Sequence, residues 1–94
     1  MPINANSTLR LAPQTVSHTL EDTVALLNVN SGLYYTLDGA GIALIEASGN
    51  GATLQQVAQQ ICREYEVDEA EALADMIELA DELLAEGLVV VDED

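Results

Sequence analysis

The sequence predicts an α+β domain in which a three-stranded antiparallel meander is followed by three helices. Three observations carry that reading. Thr15 to Leu20 alternates polar and apolar side chains, Val24 to Leu37 reads as strand, tight turn and strand, and from Thr53 onward apolar residues recur at helical spacing.

Met1 to Ser7 is polar and rich in breakers, so it is expected to fray. Leu9-Arg10-Leu11 alternates and can add a short strand before Pro13 interrupts it. Thr15 to Leu20 sets Val16, His18 and Leu20 against Thr15, Ser17 and Thr19, the period of two that a half-buried strand requires. Glu21-Asp22 is the turn into Val24–Val29, an apolar run that fits a mostly buried strand. Asn30-Ser31-Gly32 then reverses the chain, with Gly where a hairpin loop needs positive φ, and Leu33 to Leu37 is the aromatic and branched return strand.

Asp38 is expected to cap a first helix ending at Ala47, with Leu37 packing on Ile42 as a staple and Ile42 and Ile45 turned inward. Gly39 and Gly41 weaken this helix, so tertiary packing must hold it. After Gly49-Asn50-Gly51, Thr53 and Gln56 form a capping-box signature. Leu54, Val57, Ala58, Ile61, Cys62 and Tyr65 make one apolar stripe, within which Cys62 reads as a small buried hydrophobe. Asp68 and Glu71 are a second capping pair, opening a helix that runs to Glu86 and stops at Gly87. Leu88 to Val91 can form a short strand or pack under the sheet, and Asp92 to Asp94 is a solvated tail.

The third helix is apolar on more than one stripe. At about 100° per residue, Ala72, Met76, Leu79, Ala80 and Leu83 share a face suited to the other helices. Leu73, Ile77 and Leu84, with Ala70, Ala74 and Asp81, form a second flank that something must cover. Either the protein's own sheet covers it, or it walls a groove beside a sheet edge.

Composition bounds the function. Seventeen acids stand against two arginines, with no lysine and a formal net charge of −15. Such a surface repels nucleic acid and anionic membrane and favours basic partners, or serves solubility alone. No apolar run is long enough to span a bilayer, no secretory hydrophobic region is seen, and a single cysteine forms no internal disulfide, which together suit a single cytoplasmic domain over residues 1–94. One histidine and one cysteine cannot build an ordinary zinc site. No nucleophile–base arrangement, phosphate-cradling loop or calcium loop is present, so the expectation is a protein without catalytic residues, metal or cofactor.

One family resemblance covers almost the whole chain, from Leu9 to Val91. Leu26-Leu27-Asn28, Ser31-Gly32-Leu33-Tyr34-Tyr35-Thr36-Leu37-Asp38 and Gly41 resemble the signature of PqqD-type proteins, and Asp75-Met76, Leu79-Ala80, Leu83 and Gly87-Leu88 are similar to that family's closing pattern. The chain departs from the pattern in carrying Ile45 where the first helix often holds a bulky aromatic, and in lacking Phe and Trp. The resemblance implies a winged helix-turn-helix-like fold acting as a recognition element for ribosomally made, post-translationally modified peptides (RiPPs). Leu9 to Pro13 is also similar to the Leu-Arg-Leu, x, Pro run of the free-standing leader-binding proteins of lasso-peptide pathways. Those proteins work beside a cysteine-protease-like leader peptidase and an ATP-dependent cyclase.

On that basis the expected partner is the leader segment of a precursor peptide, passed to the peptidase and the cyclase. The alternative is a PqqD-type carrier serving a radical-SAM enzyme. A DNA-binding winged helix needs a basic stripe, whereas the second and third helices carry one Arg among many acids. An acidic carrier needs an Asp-Ser-Leu arm site, which the chain lacks. Strand addition supplies the expected mode, with main-chain bonds for affinity and pockets for alternate side chains. The edge is expected to be Leu33, Tyr34, Tyr35, Thr36 and Leu37, with Leu73, Ala74, Ile77 and Leu84 as the wall and Asp81 bordering it. The same edge leaves open a monomer or a weak edge-paired dimer.

Overall fold

In the computed structural model, which describes residues 3–92, two short turns fold β2 (Thr15–Thr19), β3 (Thr23–Asn28) and β4 (Tyr34–Asp38) into an antiparallel sheet of order β2-β3-β4. Helices α1 (Ala40–Ala47), α2 (Leu54–Tyr65) and α3 (Glu69–Ala85) follow. β1 (Leu9–Leu11) and β5 (Val89–Val91) pair antiparallel as a separate ribbon. The α+β architecture read from the sequence is therefore the one observed, with Leu88–Val91 contributing a strand.

The core lies between the helices and one face of the three-stranded sheet. Leu26, Leu44, Leu54, Leu83 and Leu88 are its fully buried leucines, each contributing about 1.5–3 kcal/mol by leaving water. β2 differs from expectation. Register sets Ser17 opposite Leu26 and Thr19 opposite Val24, so the polar set of β2 shares the core face. Val16 and Leu20 face outward and are 56% and 51% exposed. Alternation identified the strand but not its inner side, because β2 overhangs the edge of a small core.

Capping differs from the sequence reading at two helices. Asp38 ends β4 opposite Thr23, and the α1 cap is Gly39 without a side-chain bond. Asp68 sits at the α3 N-cap but its side chain makes no cap bond, leaving only its charge near the helix N-terminus. The Thr53–Gln56 capping box of α2 is complete, with bonds of 3.1 and 2.8 Å. The next orphan donors of α2, Leu54 N–H and Gln55 N–H, bond to the carbonyls of Ser7 and Ala5. For this reason the expected fraying of residues 1–7 does not extend to the segment from Ile3 onward, and Ile3 itself is buried. Residues 1 and 2 lie outside the described residues. Of the expected tail, Asp92 donates its N–H to Thr8 O and pairs with Arg10 at 3.6 Å, while residues 93 and 94 lie outside the described residues. Cys62 is half-buried rather than enclosed, and Tyr65 is half exposed, because the α2 stripe narrows to Leu54, Val57, Ala58 and Ile61.

α3 ends in paired bonds, Gly87 N–H to Leu84 O and Leu88 N–H to Leu83 O, with Gly87 at φ 72°. This arrangement needs a left-handed residue, hence Gly, and it turns the chain into β5. The carbonyls beyond are taken by the sheet. Asn28 Nδ2 bonds Glu86 O at 3.0 Å, Gln14 Nε2 bonds Gly87 O at 2.9 Å, and Thr15 Oγ1 bonds Leu88 O at 2.8 Å. Asn28 Oδ1 also accepts from the N–H groups of Asn30 and Ser31, so one buried side chain holds the β3–β4 turn and fastens it to α3.

Asn28→Ala is expected to cost about 2 kcal/mol or more in urea denaturation, since it orphans a carbonyl and two N–H groups near the core. Gln14→Ala breaks one bond and should cost about 1 kcal/mol. Equal losses for the two variants would contradict the special place given to Asn28.

Candidate functional site

Among the described residues, β4 is an edge strand with β3 on one side only. Its register decides which backbone groups are free. Asn28 N–H donates to Leu33 O, and Leu26 and Val24 stand opposite Tyr35 and Leu37. Hydrogen-bonded and non-hydrogen-bonded pairs alternate in an antiparallel ladder. Tyr35 and Leu37 therefore turn their N–H and C=O groups to β3, while those of Tyr34 and Thr36 point outward. Side chains follow the complementary alternation. Leu37 is buried, Leu33 and Tyr35 are half-buried toward α3, and Tyr34 and Thr36 lie on the outer face.

A cleft runs between this edge and α3, in two open depressions. One, of about 460 Å³, is lined by Tyr34, Tyr35, Thr36, Leu37, Asp38, Gly41 and Leu79. The other, of about 330 Å³, is lined by Leu33, Tyr35, Glu82, Ala85 and Glu86. α3 runs opposite in sense to β4, with Leu37 near Leu79 and Leu33 near Ala85. The lengths match, at about 13 Å for Leu33 to Leu37 as a strand and about 10 Å for Leu79 to Glu86 as a helix. Gly41 keeps the first depression open. A Cβ there would stand 3.1 Å from the Leu37 Cβ, crowding Leu37 toward the cleft.

Tyr35 crosses between the two walls. Its hydroxyl donates to Glu82 Oε2 at 3.2 Å. Desolvation by burial raises the phenol above its ordinary value of 10.0, and the Glu82 hydrogen bond and the charges of Glu82 and Glu86 raise it further. No cation of this chain relieves those charges among the described residues, since Arg10 pairs with Asp92 and Arg63 borders a depression beside Ala47 and Asn50.

The structure brings Leu33, Tyr34, Tyr35, Thr36 and Leu37 together at the edge, and the α3 residues that line the two depressions beside it are Leu79, Glu82, Ala85 and Glu86. The buried stripe of α3 is Ala72, Met76, Ala80 and Leu83. At about 100° per residue, Leu79, Glu82 and Glu86 fall to one side of it, and Leu73, Ile77 and Leu84 to the other. Leu73, Ile77 and Leu84 are partly buried against the core and line neither depression. Ala74 and Asp81 are exposed and line neither as well. Sequence reasoning passed over Leu79, Glu82, Ala85 and Glu86. In the sequence Leu79 belongs to the core face of α3, and Glu82 and Glu86 look like ordinary solvated acids.

The sign of the Tyr35 shift gives a pH expectation. The folded state favours the neutral phenol, so this contribution is complete below the unfolded value near 10 and is lost as pH rises through the higher folded value. Thermal melts should show stability falling above about pH 10, with a smaller fall in Tyr35→Phe. An identical alkaline loss in both proteins would show that Tyr35 contributes none of it.

Comparison with known proteins adds three findings. The sequence profile of the family "Coenzyme PQQ synthesis protein D (PqqD)" matches residues 23–89. Among solved structures, the chain is similar to "TbiB1 in Complex with the TbiA(beta) Leader Peptide", with a TM-score of 0.81 and 26% identity, covering 90% of this chain and 99% of that one. It is also similar to "Lasso peptide synthetase B1 complexed with the leader peptide", with a TM-score of 0.77 and 28% identity, covering 87% and 96%. No curated protein matches. The family match spans most of the chain, from the start of β3 through the Leu-Leu-Asn and Ser-Gly-Leu-Tyr-Tyr segments to β5, and the chain belongs to the PqqD family.

Proposed function

We propose that this protein is a non-catalytic recognition element that binds the leader segment of a ribosomally synthesised precursor peptide as an added strand along β4. It then delivers that peptide to a leader peptidase and a cyclase in lasso-peptide maturation. The observation that carries the reading is the outward-facing backbone of Tyr34 and Thr36 beside a cleft with two side-chain depressions. Strand addition needs those two features together. The two structural neighbours, each a complex with a leader peptide, support the same partner.

The peptide lies antiparallel to β4. Its alternate side chains point into the depressions, and those between them lie on the outer face beside Tyr34, which is 63% exposed. The wall is formed by Leu79, Glu82 and Ala85, and the carboxylates of Glu82 and Glu86 give its rim a negative field that attracts basic segments. Asp81, one step of about 100° further round α3 than Glu82, stands away from this rim. Cys62 and His18 lie on different elements, and no catalytic step is assigned to either. A PqqD-type carrier for a radical-SAM enzyme would use the same cleft. The family match suits both readings, and the similarity to lasso peptide synthetase B1 favours the first.

Thr36→Pro removes an outward N–H without touching a bond to β3, and a proline is tolerated on an edge strand. Ser17→Pro makes the same change on β2, the opposite edge. Calorimetric titration with the cognate leader should show Thr36→Pro weakening binding about tenfold or more, equivalent to one lost hydrogen bond of about 1.4 kcal/mol. Ser17→Pro should leave affinity unchanged. The reverse pattern, with melting temperatures intact, would place the peptide on the other edge.

A further inference from the structure

We infer that Tyr35 is a specificity-determining partition, and that the bound peptide carries a large, small, large pattern at three alternate positions. The inference rests on the strand-addition reading of β4 and goes beyond it by stating which side chains that site accepts.

Among the described residues, Tyr35 is the one common to both depressions. It reaches from β4 to α3, where its hydroxyl is held by Glu82 at 3.2 Å, so the ring stands across the cleft as a cross-piece between two hollows. An added strand meets this arrangement in a fixed register. Its residues opposite Leu33, Tyr35 and Leu37 share the inner face, because directly opposed side chains in an antiparallel pair lie on the same side. Those opposite Leu33 and Leu37 are four residues apart in the peptide and each meets a hollow. The residue between them meets the Tyr35 ring. That position is also a non-hydrogen-bonded pair, where opposed Cα atoms come within about 4.5 Å and side chains crowd most. A bulky residue there has to displace the ring and break its bond to Glu82, whereas Gly, Ala or Ser lies over it.

The two outer positions differ in what they accept. The hollow at Leu37 is bounded by Leu79 and Gly41, with the single acid Asp38 in its lining, and takes a large apolar side chain against Leu79. The hollow at Leu33 has Leu33 and Ala85 as walls and Glu82 and Glu86 at its margin. It takes an apolar body and disfavours a carboxylate, which would face two like charges.

Selection from a displayed library of extended peptides, randomised at three alternate positions and captured on the full chain, tests this. Binders are first sorted by loss of binding to Thr36→Pro. Among those that lose it, wild type should enrich Gly, Ala or Ser in the middle, large residues on either side, and no Asp or Glu at the position meeting Leu33. For one selected peptide, replacing the small middle residue by Leu should weaken binding to wild type about tenfold, the scale of overpacking a fitted site. Tyr35→Val keeps a strand-favouring side chain but stops short of α3, and should reduce that penalty to about threefold or less. Tyr35→Phe retains the ring but not its bond to Glu82, and should show a penalty between those of wild type and Tyr35→Val. Thr36→Pro-sensitive binders with no size preference in the middle, or with one unchanged in Tyr35→Val, would overturn the partition while leaving strand addition standing. A library without Thr36→Pro-sensitive binders would overturn the reading of the site itself.

Discussion

The cleft depends on a single buried amide. Asn28 gathers the two N–H groups of the β3–β4 turn on its Oδ1 and donates its Nδ2 to the Glu86 carbonyl at the end of α3. β4 starts at that turn, and Leu79, Glu82 and Ala85 lie on the last turns of α3. The same side chain therefore fixes both walls of the cleft at one end. At the other end, Gly41 brings α1 close against Leu37, where a methyl group would find the Leu37 Cβ at 3.1 Å. Tyr35 and Glu82 join the walls in between. Two hydrogen bonds, at Asn28 and at Tyr35, thus tie the two walls together, with the hydrophobic core holding the sheet and the helices in place behind them.

This explains why short polar and glycine positions matter in the segment that carries the family resemblance. Asn28 and Ser31-Gly32 are turn chemistry, whereas Leu26 and Leu37 are core. Gly41 is a point of close approach, and Gly87 ends α3 so that its neighbouring carbonyls face Asn28, Gln14 and Thr15. Asn28, Ser31, Gly32 and Gly87 line neither depression, yet each constrains the walls that do.

The sequence made most elements legible because their signals are local. The capping box at Thr53 and Gln56, the alternation over β2 and the stripe along α2 each report one element's own period. What it could not convey was relative orientation. Asp38 has the chemistry of a cap, but β4 runs one residue further and takes it as a strand partner of Thr23. Val16, His18 and Leu20 were the natural inward set of β2, yet register with Leu26 and Val24 turns them outward. The cleft wall shows the same difficulty. Periodicity fixes the angle between Leu73–Ile77–Leu84 and Leu79–Glu82–Glu86 but is silent on which flank faces β4. The more apolar flank was the natural choice, and the core partly covers it. The wall beside β4 has Leu79 with flanking acids, a pattern that in sequence resembles an ordinary solvated face.

Charge and architecture together point to a surface with two characters. The acids lie from Glu21 onward, and α3 carries many of them on its exposed side, including the margin of the cleft. The edge of β4 itself offers neutral backbone groups. On the proposed reading, a peptide with basic residues would be drawn by the first and held by the second, which would separate rate of encounter from stability of the complex.

The central claim is that β4 accepts a strand on its outward side. Amide hydrogen exchange read residue by residue, with and without the leader peptide, tests it most directly. Strand addition at β4 brings new protection to the Tyr34 and Thr36 amides, whose N–H groups point away from β3, and little change at Tyr35 and Leu37, already bonded to it. Protection arising along β2 or the helices, with Tyr34 and Thr36 unchanged, would contradict it.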